Sequence, residues 1–124
     1  MRIEIKSFWP AILGFIVATM LFCLPGEELL EAGWLDQLHL DKFVHVGLFT
    51  MLVVLWCLPA RYRLNNKKRV DAVYIWITIA FIMYGIAIEF IQINFIPHRS
   101  FDFFDIVADA VGCWLGFVFV RWID

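Results

Sequence analysis

Charged residues are scarce in this sequence and are missing from long stretches of it. Only 18% of the 124 residues are charged, whereas 63% are hydrophobic, and the mean hydropathy is +0.81. A soluble domain has about 25% charged residues. A soluble chain of this size cannot bury so much apolar surface, because small domains have too much surface for their volume. The composition therefore excludes disordered, collagen-like and low-complexity classes and indicates a polytopic membrane protein.

The sequence also lacks the signatures of several soluble protein classes. It has no internal repeat and no glycine-rich phosphate loop. The net charge is −2, so no overall basic field would attract nucleic acid. Cys23, Cys57 and Cys113 lie singly in apolar segments, which supports neither a disulfide nor a cysteine-based metal site.

Four apolar segments are candidates for membrane-spanning helices. They are predicted at about 8–24, 43–58, 72–96 and 103–123. Backbone groups cannot stay unpaired in lipid, so the predicted fold is all-α: a small antiparallel bundle that forms one domain over residues 1–124. The first segment follows Arg2 and Lys6 but has no small-residue cleavage site, which favours a retained helix over a signal peptide.

The basic residues predict how the chain is oriented in the membrane. Eight of the ten lysines and arginines lie before the first segment, between the second and third, and at the end of the fourth, whereas Lys42 and Arg99 lie on the opposite side. These places share one side of a four-pass chain, so both termini are predicted to be cytoplasmic. In the first outer loop, Leu30, Trp34 and Leu38 recur at helical spacing, which fits a short helix lying on the membrane surface or an irregular connection.

Ionisable residues within the apolar segments are not scattered. They fall at the outer start of the second and fourth segments and at the outer end of the third. Such residues are expensive in lipid, usually face a bundle interior and mark functional sites. The predicted ligand-binding set is Asp41, Lys42, His45, Glu89, Gln92, Arg99, Asp102, Asp105 and Asp109.

Three of these residues, Glu89, Asp105 and Asp109, are predicted to form the core of the site. Three acids within membrane segments are more than the packing of a helix bundle requires. His45 is the candidate partner base or ligand and completes the candidate catalytic set. Three acids cannot all stay ionised and unpaired in a low dielectric, so basic side chains must neutralise some of them. The cluster fits an acid–base site, a divalent-cation site or a pocket for a polar head group.

Glycines continue the same helix faces. Gly112 and Gly116 form a Gly-x-x-x-Gly pair on the stripe of acids in the fourth segment, and Gly85 lies one turn from Glu89. Such spacing allows helices to approach closely. We therefore predict a tightly packed glycine seam beneath the polar residues.

Two blocks of residues resemble the VanZ-like family. The first, Asp41-Lys42-Phe43-Val44-His45, is similar to the family's D-K-x-x-H segment. The second begins at Glu89-Phe90-Ile91-Gln92 and continues through Pro97, Arg99, Asp102, Asp105, Asp109, Gly112 and Gly116. This chain departs from the family at Asp109, where the family usually has Asn. The resemblance implies a bacterial multi-pass membrane protein related to one linked to teicoplanin resistance.

The first hypothesis is a small bacterial inner-membrane protein whose outward-facing site binds, and in one version modifies, an amphiphilic envelope component or drug. Its expected partners are membrane lipid, a lipid-linked envelope precursor or lipophilic glycopeptide, and a second copy of the chain. Lys42 and Arg99 would orient an anionic head group. The alternatives are a non-catalytic scaffold held together by the cluster and, ranked last, a proton-coupled transporter. The sequence names neither a reaction nor a cofactor.

Overall fold

The computed structural model describes residues 8–23, 40–64, 66–95 and 103–123, without the side chains of Leu40 and Asp41. Within these ranges the regular secondary structure is entirely helical, as predicted. The helices are α1 (Trp9–Phe22), α2 (Leu40–Arg63), α3 (Lys67–Phe95) and α4 (Phe103–Ile123).

Three of the four helices are long and apolar enough to cross a membrane. These are α2 over its 22 residues from Lys42, α3 with 29 residues and α4 with 21 residues. The described part of α1 has 14 residues, which is about 21 Å of helix, whereas a hydrocarbon core is about 30 Å thick. Length and composition thus support a membrane-spanning role for three of the four predicted spans. The described part of α1 is an apolar helix that is shorter than a full span.

The connection between α2 and α3 is shorter than the sequence indicated. The predicted second span ends before Pro59, but α2 continues through Pro59 to Arg63, because one missing backbone donor is tolerated in a membrane helix. α3 then begins at Lys67, where the Asn66 side chain accepts a hydrogen bond of 2.9 Å from the Lys68 backbone. That bond is an N-cap. The basic stretch predicted as a loop therefore lies mostly in the helix ends.

The helices α2 and α4 share the most extensive interface, α3 packs against both, and α1 contacts α2 and α3. A Cβ on Gly112 would lie 2.5 Å from the carbonyl oxygen of Val46, and one on Gly116 would lie 3.0 Å from that of Thr50. Since both residue numbers rise together along the interface, α2 and α4 run in the same direction. Their starts therefore lie at the same end of the molecule.

The position of α3 follows from two contacts with α4. Asp71 lies 3.9 Å from Arg121, close to the end of α4, and Gly85 lies against Asp109, close to its start. The far end of α3, with Glu89, therefore reaches the level where α2 and α4 begin. This geometry brings the polar residues of three helices to one end of the described structure.

Candidate functional site

The centre of the polar cluster is a hydrogen-bonded pair between α2 and α4, which we call the inner pair. His45 Nδ1 and Asp109 Oδ1 are 2.6 Å apart, and both side chains are almost completely buried. When the imidazole is neutral and the carboxyl ionised, the Nδ1–H group donates and Nε2 keeps its lone pair. The pair can therefore act in acid–base chemistry as well as in ligand binding.

A second ionic contact lies one helical turn closer to the starts of α2 and α4. Lys42 Nζ is 3.6 Å from Asp105 Oδ1, and the lysine side chain is 26% exposed. We call it the terminal pair. Because α2 and α4 run in the same direction, the two pairs are stacked along one interface. The terminal pair lies nearer the helix starts, and the inner pair lies deeper in the bundle.

The second carboxylate oxygen of Asp109 faces α3. A Cβ on Gly85 would lie 2.8 Å from Asp109 Oδ2, so the missing side chain at Gly85 makes room for this oxygen. Oδ2 is buried and has no hydrogen-bond partner among the described residues. A buried acceptor that lacks a donor costs about 1–3 kcal/mol. The Asp109 carboxyl thus has one oxygen committed to His45 and one oriented toward the α3 side of the cluster.

Glu89 lies on α3 one turn beyond Gly85 and is fully buried. Because Gly85 packs against Asp109, Glu89 lies at the same end of the bundle as the inner pair and the terminal pair. The three predicted core acids therefore lie at one end of the described structure, whereas their catalytic or binding role stays a prediction.

Gln92 has a partner outside the cluster. Its side-chain amide donates a hydrogen bond of 2.8 Å to the backbone carbonyl of Phe22, the last residue of α1. The final carbonyls of a helix have no partner within the helix. Gln92 therefore links α3 to the end of α1, and this role accounts for its amide donor without a ligand.

Several predicted residues cannot be placed in the cluster. Asp41 lies in the first turn of α2, but its side chain is outside the described structure, and Arg99 and Asp102 lie outside the described residues altogether. The surface helix predicted around Trp34 also lies outside them. Within the ranges that are described, no group of three or more His, Cys, Asp or Glu residues is arranged to hold a metal ion.

The structure adds residues that the sequence did not single out as part of the site. The Phe22 ring lies 4.8 Å from the His45 ring, centroid to centroid. The Thr50 hydroxyl donates to the Gly112 carbonyl at 3.0 Å. Phe22 had no signal in the sequence, because an aromatic residue at the end of an apolar segment is typical of any membrane helix.

Phe49 closes the cluster on the side away from the helix starts. A Cβ on Gly112 would lie 2.9 Å from the Phe49 side chain, and one on Gly85 would lie 3.2 Å from it. The two glycines therefore let the Phe49 ring fill the space between three helices, one turn after His45. Among the described residues, the buried charged side chains all lie on the other side of Phe49, toward the helix starts, and the residues below it include the apolar core.

The fold and the cluster together define a small helical membrane protein with charged residues buried between three helices near one end. The chain belongs to the VanZ/LLP1 family, which matches residues 5–124. The resemblance found in the two sequence blocks is thereby confirmed.

A relative in Schizosaccharomyces pombe (strain 972 / ATCC 24843) carries the description "uncharacterized protein". It is 33% identical over 75 residues, which are 60% of this chain and 43% of the yeast protein. The chain thus covers less than half the length of this relative. No solved structure matches the chain.

Proposed function

We propose that this protein binds, through its buried polar cluster, the head group of an amphiphilic envelope component or of a drug that resembles one. The observation that carries the proposal is the stacking of the terminal pair and the inner pair along one helix interface. The terminal pair is partly exposed and the inner pair is buried, so polar groups extend from the helix starts into an otherwise apolar bundle. Polar groups next to apolar helix faces suit a ligand with a polar head and an apolar tail.

The energetics of buried charges support a functional role. Replacing a buried ion pair with well-packed apolar residues is often neutral or stabilising by about 1–4 kcal/mol. A bundle of membrane helices therefore does not require His45 and Asp109 for its stability. A binding site, in contrast, needs polar groups such as these. It also needs an acceptor open to a ligand, and Asp109 Oδ2 is buried with no hydrogen-bond partner among the described residues.

We also propose that the helices form an antiparallel bundle with both termini cytoplasmic, in the inner membrane of a bacterium. In support, basic residues lie at the end of α2, the start of α3 and the end of α4, and the Asp71–Arg121 contact joins two of these ends. Cytoplasmic ends carry such basic residues. The polar cluster, at the opposite ends, would then face the extracytoplasmic side.

The inner pair also supports a finer version of the proposal, in which the protein modifies its ligand. A carboxylate that holds Nδ1 of a histidine fixes the imidazole with Nε2 as the reacting nitrogen. His45 would then move a proton to or from the bound head group, and Asp109 would position the ring. In the binding version the same atoms only hold the ligand.

Teicoplanin susceptibility is the test of this proposal, because the family's namesake is linked to resistance to that drug. Bacterial cells would express wild type, Glu89→Gln, Asp105→Asn or Asp109→Asn, and the amount of protein in the membrane would be measured for each. We expect wild type to protect the cells. We expect each variant to lose that protection at a normal membrane level.

Two results would contradict the proposal. If protection disappears only where the protein itself disappears, the acids are structural. If wild type gives no protection at all, the glycopeptide part of the proposal is wrong for this protein, and binding must be tested with purified amphiphiles. Gly47→Ala is the matched control, since a Cβ at Gly47 meets none of the described residues within 4 Å.

A non-catalytic scaffold is the second candidate function. Two polar contacts favour it: Gln92 bonds the Phe22 carbonyl, and Thr50 bonds the Gly112 carbonyl, so polar side chains do link helices in this bundle. In this case the cluster would hold α2, α3 and α4 together or bind a partner helix. Neutralising the acids would then lower the amount of folded protein, which the membrane-level measurement detects.

A further inference from the structure

We infer that the end of α2 and the start of α3 together bind the head group of an anionic phospholipid. Four exposed cations lie there, Arg63, Lys67, Lys68 and Arg69, which we call the basic patch. It lies at the opposite end of the described structure from the polar cluster, so the inference is independent of the proposed function. The charge of the patch, its depth in the membrane and the apolar surface beside it point to this ligand.

The charge of the basic patch is not balanced by neighbouring acids in the chain. No acid lies between Asp41 and Asp71 in the sequence, and Asp71 lies 3.9 Å from Arg121. Residues 67–69 are three cations in the first turn of α3, which contains no acid. The start of a helix is itself partly positive, so cations there are unfavourable. An anion at the patch would compensate both the side chains and the helix start.

Arg63 extends the basic patch across the short connection between the two helices. Only residues 64–66 separate the end of α2 from the start of α3. The guanidinium carbon of Arg63 lies 5.3 Å from the centroid of the Phe8 ring, a cation–π contact. A guanidinium group also pairs well with a phosphate through two hydrogen bonds. The patch therefore combines an arginine on α2 with two lysines and an arginine on α3.

The length of α3 indicates the depth of the basic patch in the membrane. α3 has 29 residues, which is about 44 Å of helix. A bilayer is about 30 Å thick in its hydrocarbon core and about 40–45 Å thick with its head-group regions. Tyr62 and Trp122, exposed aromatic residues of the kind found at the membrane interface, are next in sequence to Arg63 and Arg121. The patch is therefore at the level of lipid phosphates.

An apolar surface follows the cations along the same face of α3. Ile75, Trp76 and Ile79 are between 44% and 69% exposed. Lys68 and Arg69 lie seven residues before Ile75 and Trp76, which is two helical turns, so these residues share one helix face. A single molecule with an anionic head and apolar chains fits both parts of this face. A free anion or an acidic protein would contact the cations alone.

Lipid binding by the purified full chain is the test. The protein in a non-ionic detergent is titrated with phosphatidylglycerol or phosphatidylcholine, and bound lipid is counted by native mass spectrometry. We expect wild type to bind phosphatidylglycerol more tightly than phosphatidylcholine. Each lysine or arginine near an anionic lipid raises the affinity about fivefold. The neutral variant Lys67→Gln/Lys68→Gln/Arg69→Gln should therefore bind phosphatidylglycerol about tenfold more weakly or less, with phosphatidylcholine binding unchanged.

The matched control changes the same three side chains and keeps their charge. Lys67→Arg/Lys68→Arg/Arg69→Lys should retain the preference for phosphatidylglycerol, and loss of the preference in both variants would show that charge does not bind the lipid. Thermal unfolding gives a second readout. Phosphatidylglycerol should raise the unfolding midpoint of wild type and of the control but not of the neutral variant. Without that lipid, the neutral variant should be at least as stable as wild type, because it removes cations from a helix start.

Three further results would overturn the inference. If wild type binds both lipids equally, the basic residues orient the chain and bind no head group. If the neutral variant binds phosphatidylglycerol as tightly as wild type, that lipid binds elsewhere. If inorganic phosphate displaces phosphatidylglycerol at the same concentration as the lipid, the patch binds free anions. Should the neutral variant fail to fold, Lys68→Gln replaces it, with a weakening of about fivefold expected.

Discussion

At the scale of single residues, two kinds of polar contact join the described helices. Gln92 and Thr50 donate to backbone carbonyls of neighbouring helices, so their polar groups link parts of the bundle. His45 and Asp109 instead bond to each other, and one oxygen of the carboxyl is left facing α3. The first kind stabilises the structure, and the second kind is where we place the ligand.

Gln92 provides the test of the linking role. Gln92→Leu removes the donor for the Phe22 carbonyl, so we expect the free energy of unfolding in detergent micelles to fall by about 1 kcal/mol. Asn94→Leu is the matched control, because Asn94 is exposed and its bond among the described residues goes to Phe90, one turn earlier in the same helix. Equal stability of Gln92→Leu and Asn94→Leu would show that the link to α1 contributes nothing.

The sequence identified His45 as the candidate partner of the acids but not which acid it would bond. A histidine and an acid in apolar segments stand out, because charge is rare there. Their pairing depends on which helix faces which, and that is decided by Gly112 and Val46 packing against each other. The contact between Phe22 and His45 had no such signal, since it involves the end of a helix whose neighbours the sequence does not specify.

At the scale of helices, the close contact between α2 and α4 positions the whole cluster. Gly112 and Gly116 bring the backbone of α4 against the carbonyl oxygens of Val46 and Thr50. Such close approach holds His45 and Asp109 at hydrogen-bonding distance. The glycine seam therefore serves the site as well as the packing of the bundle.

Substitution of one glycine tests the seam. Gly112→Ala places a Cβ 2.5 Å from the Val46 carbonyl oxygen, and that backbone atom cannot move aside. We expect the free energy of unfolding to fall by about 1–3 kcal/mol, as for other overpacked sites. Gly47→Ala, where a Cβ meets no atom of the described part of the chain within 4 Å, should be neutral or stabilising by up to about 1 kcal/mol. Similar losses in both variants would argue against the seam.

The existence of the long helices was predictable, but their boundaries were not. Apolar length alone indicates the spans, and α4 matches its prediction at 103–123. At Pro59 the sequence predicted a helix end, because proline removes a backbone donor, whereas α2 runs on to Arg63. Asn66 is an N-cap residue that marks the start of α3, whereas hydropathy places the start of the apolar span only at about residue 72.

At the scale of the whole molecule, the two ends of the described structure differ in chemistry. One end carries Arg61, Arg63 and the basic start of α3, and the other carries the buried acids. The outer faces between them are apolar, with exposed residues such as Trp76, Met83 and Trp114. The two ends of the described structure therefore carry charges of opposite sign, as expected for a membrane protein with one fixed orientation.

Labelling with a membrane-impermeant maleimide tests that orientation. In a variant with its native cysteines replaced, Phe103→Cys should react in intact cells, because α4 begins at the end that we place outside. Lys67→Cys, at the start of α3, should react only after the cells are permeabilised. The reverse pattern would put the polar cluster on the cytoplasmic side and exclude an extracytoplasmic ligand.

The central claim is that the inner pair is kept for binding and not for stability. The most direct measurement is the free energy of unfolding of the double variant His45→Leu/Asp109→Leu against wild type, in the same detergent. We predict that the variant is as stable as wild type or more stable by about 1–4 kcal/mol, because apolar residues of similar volume replace a desolvated pair. A loss of about 3 kcal/mol or more, the size seen when buried pairs are broken, would contradict the account and leave the scaffold as the function of the cluster.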